Sequence, residues 1–122
     1  MKKIIITSDI DWALDEVIDD FLSILKSYQV SATLFCTHES EVVKGMNSNQ
    51  FETAIHPNFN PSIIQGEPFK AEKIIDDLMM LYPDAIGVRS HSMTSSTILN
   101  NLFNSKGLKY ESNIFIPYKW EV

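Results

Sequence analysis

Two aspartates one residue apart, Asp9 and Asp11, close an apolar run that begins Ile4-Ile5-Ile6. The chain has three histidines, His38, His56 and His91, and Arg89 stands two residues before the last. Carboxylate oxygens and imidazole nitrogens together form a ligand set for zinc or a similar divalent ion. An ion held with one open position polarises a carbonyl and activates water, and a carboxylate outside the ligand set can take the proton. A lone histidine after a strand is more often a loop or capping group. Three of them, with an Asp-x-Asp pair, weigh toward a site. Asp15, Glu16, Asp19 and Asp20 read instead as the solvated start of a helix, and Cys36 as a small buried apolar residue. Trp12 either walls the site or packs against that first helix.

The elements must bring these groups together. Residues 3–8 are short, β-branched and continuous, the pattern of a buried strand. The spacing of Ile18, Phe21, Leu22, Leu25 and Tyr28 predicts a helix over 15–28 with one apolar face. A strand is expected over 30–37, a short helix over 39–46 and a third strand over 51–56. The prolines and asparagines of "PNFNPSIIQGEPF" read as a loop. A helix over 70–82 places Ile74, Leu78 and Leu81 on one face and stops at Pro83. A fourth strand is expected over 85–89. A helix over 94–105 follows, with Ile98, Leu99, Leu102 and Phe103 inward and Gly107 past its end. Residues 108–116 look extended. Strands alternating with helices predict a parallel sheet with helical crossovers, whose ligands bind beyond the carboxyl ends of the strands. Asp9, Asp11, His38, His56, Arg89 and His91 all fall at that edge.

At 122 residues the chain fits one domain, and 44% apolar with 21% charged residues is ordinary for a globular protein. A net charge of -6 argues against nucleic-acid binding and gives no attraction to an anionic membrane. One cysteine excludes an internal disulfide and a cysteine-rich zinc site. The apolar run at the N-terminus is too short for a signal peptide, and no stretch reaches the roughly 20 apolar residues of a membrane span, so a cytoplasmic protein is expected.

The stretches "SDIDWALDEVIDDFLSILKSYQVSATLFCTHES", "AIHPNFNP", "GVRSHS" and "GLKYESNIFIPY" resemble, in order, the polysaccharide deacetylase superfamily. This is the NodB-homology fold of the family-four carbohydrate esterases, and the likeness is closer to its branch related to the WbmS O-antigen proteins. The resemblance implies a distorted (β/α) barrel and metal-dependent removal of acetyl from an N-acetylated sugar or polysaccharide precursor. It implies Asp9 as the base and Asp11 as a metal ligand, with roles that Ile10 between them leaves exchangeable. His56 matches the first histidine of the second motif, but Asn60 stands where its second would be. The ion, expected to be zinc, would then recruit His91, with His38 as the substitute. Arg89 matches the arginine that orients the base.

The family continues past "NIFIPY", where a late histidine acts as general acid, whereas this sequence ends at "KWEV". A full barrel takes about 200 residues or more, so the chain is expected to form the N-terminal part of that fold: about five mostly parallel strands in an incomplete or distorted barrel. Truncation is expected to weaken or abolish turnover. A non-catalytic carbohydrate-binding or scaffolding remnant is therefore the main alternative. A haloacid dehalogenase-type phosphatase is a lesser one, because Ala13-Leu14 follow Trp12 where a threonine is needed and Asp76-Asp77 fall inside a predicted helix. Tyr110, Ile114, Phe115, Ile116, Tyr118 and Trp120 crowd the last stretch. They predict an uncovered apolar edge and a homodimer formed through it.

Overall fold

The computed structural model describes residues 4–66 and 69–116. Five strands, β1 (Ile6–Asp9), β2 (Ala32–Cys36), β3 (Phe51–Ile55), β4 (Gly87–Val88) and β5 (Tyr110–Glu111), lie side by side in chain order, and every neighbouring pair is parallel. Between them run α1 (Asp15–Ser27), α2 (Glu41–Lys44), α3 (Asn60–Ile64), α4 (Ala71–Leu81) and α5 (Thr97–Ser105). The sheet curls into a half-barrel: the parallel order is the one expected from the alternation, and the incomplete α/β barrel is the one that the resemblance and the chain length implied. Its ladder runs past the regular strands: Arg89 N donates to Ile55 O at 3.0 Å and Ser112 N to Val88 O at 2.9 Å. No helix among the described residues is long and apolar enough to cross a membrane.

Alternation along the strands divides the sheet into two faces. Ala32, Leu34, Cys36, Phe51, Ile55 and Val88 belong to the main core, with Ile18, Leu22 and Leu25 of α1, Ile75 and Leu78 of α4, and Leu99 and Phe103 of α5. The inner face carries Thr7 and Asp9 opposite Thr33 and Phe35, and these opposite Glu52 and Ala54. Gly87 lies against the ring of Tyr110 on this face: a Cβ there would sit 2.1 Å from Tyr110 Cζ. The Tyr110 hydroxyl donates to Glu52, and burial together with that carboxylate pushes the phenol pKa up.

Several expectations need correction. Residues 3–8 were expected to form a buried strand, yet Ile5 is 82% exposed and the regular strand starts at Ile6. Among the described residues β1 is an edge strand paired only with β2, and no helix covers Ile4 and Ile5. Tyr28 and Ile98 share the spacing of their helices' apolar faces but point to solvent. The stretch after His56 is not all loop: Pro61 sits in the first turn of α3, where its missing N–H is no loss. α2 is a single turn capped by Ser40, whose hydroxyl accepts from Val43 N at 3.2 Å and donates to Asp15 at 2.5 Å. Asp15 is thus tied down and not merely solvated. α5 starts at Thr97, later than the spacing predicted, because Thr94 is extended and Ser96 is the cap, its hydroxyl accepting from Leu99 N at 3.2 Å.

Candidate metal centre

The site sits where the ladder ends. Immediately after β1, Ala13 N donates to Ile10 O at 2.8 Å, closing a turn whose central residues Asp11 and Trp12 have φ of 32° and 58°. Positive φ at two such residues costs energy, and structures keep it where the surroundings fix it. Ile10 is buried and anchors the turn, while Thr37 Oγ1 at the end of β2 accepts from Trp12 N at 2.9 Å. A second such turn carries His91, with φ of 58° at Ser92 and 52° at Met93. It is pinned from β3's side: His91 N donates to Pro57 O at 2.9 Å, and Asn60 Nδ2 to Ser92 Oγ at 2.9 Å.

These turns bring one ligand atom each from Asp11, His56 and His91 within 4.8 Å of one another. His56 is 2% exposed. Its Nδ1 lies 2.5 Å from Arg89 O, and a carbonyl only accepts, so Nδ1 carries the hydrogen. Nε2 is thereby left to face the carboxylates, and it is the ring nitrogen whose lone pair an ion would take. That nitrogen is 3.4 Å from Asp11 Oδ1 and 3.7 Å from Asp9 Oδ2, beyond good hydrogen-bond length. His91 Nδ1 lies 3.1 Å from Asp11 Oδ1. The residues fit a divalent ion: two imidazoles and a carboxylate converge, and one imidazole is oriented by a backbone carbonyl, as ligating histidines are.

Asp9 is held apart from this trio. Arg89 Nη1 donates to Asp9 Oδ1 at 2.8 Å, leaving Oδ2 to face His56. The same guanidinium donates to Thr7 Oγ1 at 3.0 Å, Ser112 Oγ at 2.8 Å and Ser112 O at 3.1 Å, and lies 4.2 Å from the Phe35 ring centroid. It therefore ties β1 to the residue following β5 across the inside of the curl. Thr7 and Ser112 were not anticipated as part of the site. Thr7 had a signal, since it lies two residues from Asp9 and so on the same face of the strand.

His38 is not in the cluster. Its Nδ1 lies 3.0 Å from Thr37 Oγ1, and its carbonyl accepts from the Tyr82 hydroxyl at 2.7 Å. Nearby Cys36 is fully buried, and burial pushes its thiol up to about 12, which removes it as a thiolate ligand at neutral pH. Trp12 does not bury itself among the core residues; its ring stands 5.2 Å from that of His91 at 67°.

Fold and cluster together define a class: an α/β half-barrel with a carboxylate–imidazole site at the carboxyl edge of its sheet. The chain belongs to the WbmS-like polysaccharide deacetylase family, whose model matches residues 6–122. Among solved structures it is similar to WbmS of Bordetella bronchiseptica, a candidate polysaccharide deacetylase involved in O-antigen biosynthesis. The two share 35% identity with a TM-score of 0.89, over 94% of this chain and 48% of that one. The chain thus spans about half the length of that structure. No curated protein matches it. Family membership replaces the phosphatase alternative.

Proposed function

We propose that Asp11, His56 and His91 hold a divalent ion, zinc by the character of the donors, and that the site removes acetyl from an N-acetylated sugar or polysaccharide precursor. The observation that carries this reading is the convergence of the three donors within 4.8 Å, beside a carboxylate that Arg89 holds apart. When bound, the ion supplies Lewis acidity toward the acetyl carbonyl and a water. Asp9 Oδ2 is the acceptor for that water's proton, because Arg89 occupies Oδ1 and directs the other oxygen to the cluster. Arg89 is a positioning residue, and the His56–Arg89 O contact keeps the His56 lone pair inward. A cytoplasmic location is part of the same proposal, since precursor assembly would take place there.

Zinc titration by calorimetry and acetyl release from N-acetylated oligosaccharides test the reading together. His91→Ala should weaken zinc binding by about 10-fold or more, within the range for losing a ligand or its support. Equal zinc affinity in His91→Ala and His38→Ala proteins would overturn the ligand assignment.

A second reading, binding without turnover, has one observation in its favour: the chain covers 48% of the related structure, so groups supplied by the rest of that fold lie outside this comparison. Zinc and saccharide binding with no acetyl release selects it. We also propose a homodimer through the end of the chain. Ile114, Phe115 and Ile116 are exposed beside the outer edge of β5, while Tyr118 and Trp120 lie outside the described residues. A monomer by sedimentation at all concentrations would refute it.

A further inference from the structure

Trp12 is placed at a cost that its packing does not explain. Left-handed backbone at a bulky residue is unfavourable by about 1 kcal/mol or more. Burial of the side chain is the usual compensation, yet Trp12 is 49% exposed and stands outside the main core. Its backbone is nonetheless fixed, by the Ile10–Ala13 turn and by Thr37 Oγ1. The indole meets the His91 ring at 67° with centroids 5.2 Å apart, and about half of the residue is open to solvent. Met93, on the opposite turn with a φ of 52°, is also exposed. An oriented, half-open indole is therefore held at the rim of the Asp11–His56–His91 cluster.

We propose that Trp12 is a sugar-binding platform: the apolar C–H face of a pyranose ring packs on its indole, which brings that sugar's N-acetyl group toward the cluster. Pyranose C–H groups are weakly positive, and the face of an aromatic ring carries negative charge, so the two attract beyond their shared apolar area. Binding sites of this kind combine such a surface with a few fixed polar groups, here the carboxylates and imidazoles. The inference rests on the deacetylase reading for where the acetyl group goes. The stacking itself does not need a metal.

The sequence holds two tryptophans, Trp12 and Trp120, so a Trp120→Phe protein reports on Trp12 alone. With zinc present, N-acetylglucosamine and its β-1,4 dimer should change Trp12 emission saturably. Trp12→Ala should weaken saccharide binding, followed by ligand-observed NMR, by about tenfold, while Trp12→Phe retains most of it. Zinc affinity should stay within about twofold in both variants, because Trp12 donates no ligand. Three results overturn the proposal: saccharide binding that leaves Trp12 emission unchanged, zinc affinity falling as far as saccharide affinity in Trp12→Ala, or no saccharide binding by a protein that binds zinc. The second would make Trp12 a prop for His91. Saturable emission change without zinc binding would support the platform while removing the metal reading, so the two fail separately.

Discussion

Replacing Arg89 with lysine keeps the charge and discards the shape. The guanidinium makes four hydrogen bonds, to Asp9 Oδ1, Thr7 Oγ1, Ser112 Oγ and Ser112 O, and stacks on Phe35. A lysine has one nitrogen and a flexible stem, so it can keep Asp9 and at most one other partner. At least two bonds then go, at about 1 kcal/mol each. The stacking adds roughly 0.5–1 kcal/mol. Because Asp9 is a third exposed, its ion pair adds little beyond this and is in any case retained. The sum is a loss of about 2–3 kcal/mol for Arg89→Lys, read by urea denaturation followed by circular dichroism. Thr7→Val and Ser112→Ala remove one side-chain partner each and should cost about 1 kcal/mol apiece. If Arg89→Lys costs less than about 0.5 kcal/mol, the ordinary range for a surface change, the guanidinium does not hold the curl together.

Asp9→Asn should abolish acetyl release and leave zinc affinity nearly unchanged, since the amide still accepts from Arg89 but cannot take a proton; if Asp9→Asn loses zinc and Asp11→Asn does not, the two roles are exchanged. Gly87→Ala puts a Cβ 2.1 Å from Tyr110 Cζ and 2.3 Å from its hydroxyl, so the ring must leave its place over the sheet. The expected cost is about 1–3 kcal/mol, and it should nearly vanish in a Tyr110→Ala background, which a double-mutant cycle measures. Cys36 gives an alkaline limit. Its folded pKa of about 12 lies above the ordinary 9.0, so the unfolded chain loses the proton first and stability falls as pH rises from about 9 to about 12, by up to roughly 1.4 kcal/mol per pH unit. The raised Tyr82 hydroxyl acts in the same direction. A Cys36→Ala protein whose stability falls just as steeply over that window shows that the thiol is not responsible.

Much of the frame could be read from apolar runs. β2 and β3 are central and covered on the outer face by helices: Leu34, Phe35 and Cys36 make an apolar run in β2, and Phe51 and Ile55 are apolar in β3 although Glu52 and Thr53 lie between them. Ile4-Ile5-Ile6 is more uniformly apolar and yet exposed, because residue type does not distinguish an edge strand from a central one. α3 was hidden by the two asparagines and Pro61, although a proline in a first turn is itself a helix-start signal. The candidate site was legible to the extent that a parallel sheet collects its carboxyl ends, which put Asp9, Asp11, His56, Arg89 and His91 along one edge. What spacing could not decide was His38 against His91. That depends on loop anchoring: Pro57 O and Asn60 pin the His91 turn, whereas His38 is engaged by Thr37 and Tyr82.

Strand order follows chain order, so each strand can add to the one before it as its own crossover closes. The contacts that complete the site are of another kind. Arg89 to Asp9 and His91 to Asp11 each join residues 80 apart in sequence. Bringing together ends so far apart costs about 4 kcal/mol of chain entropy if nothing lies ordered between them. The contacts between the first and fourth strands are therefore expected to form late in folding, once the intervening strands have curled and shortened the gap. Interactions formed after the rate-limiting barrier slow unfolding and leave the folding rate almost unchanged. An ion or a sugar bound at this edge would accordingly set how long the curled sheet stays shut, with little influence on how fast it forms.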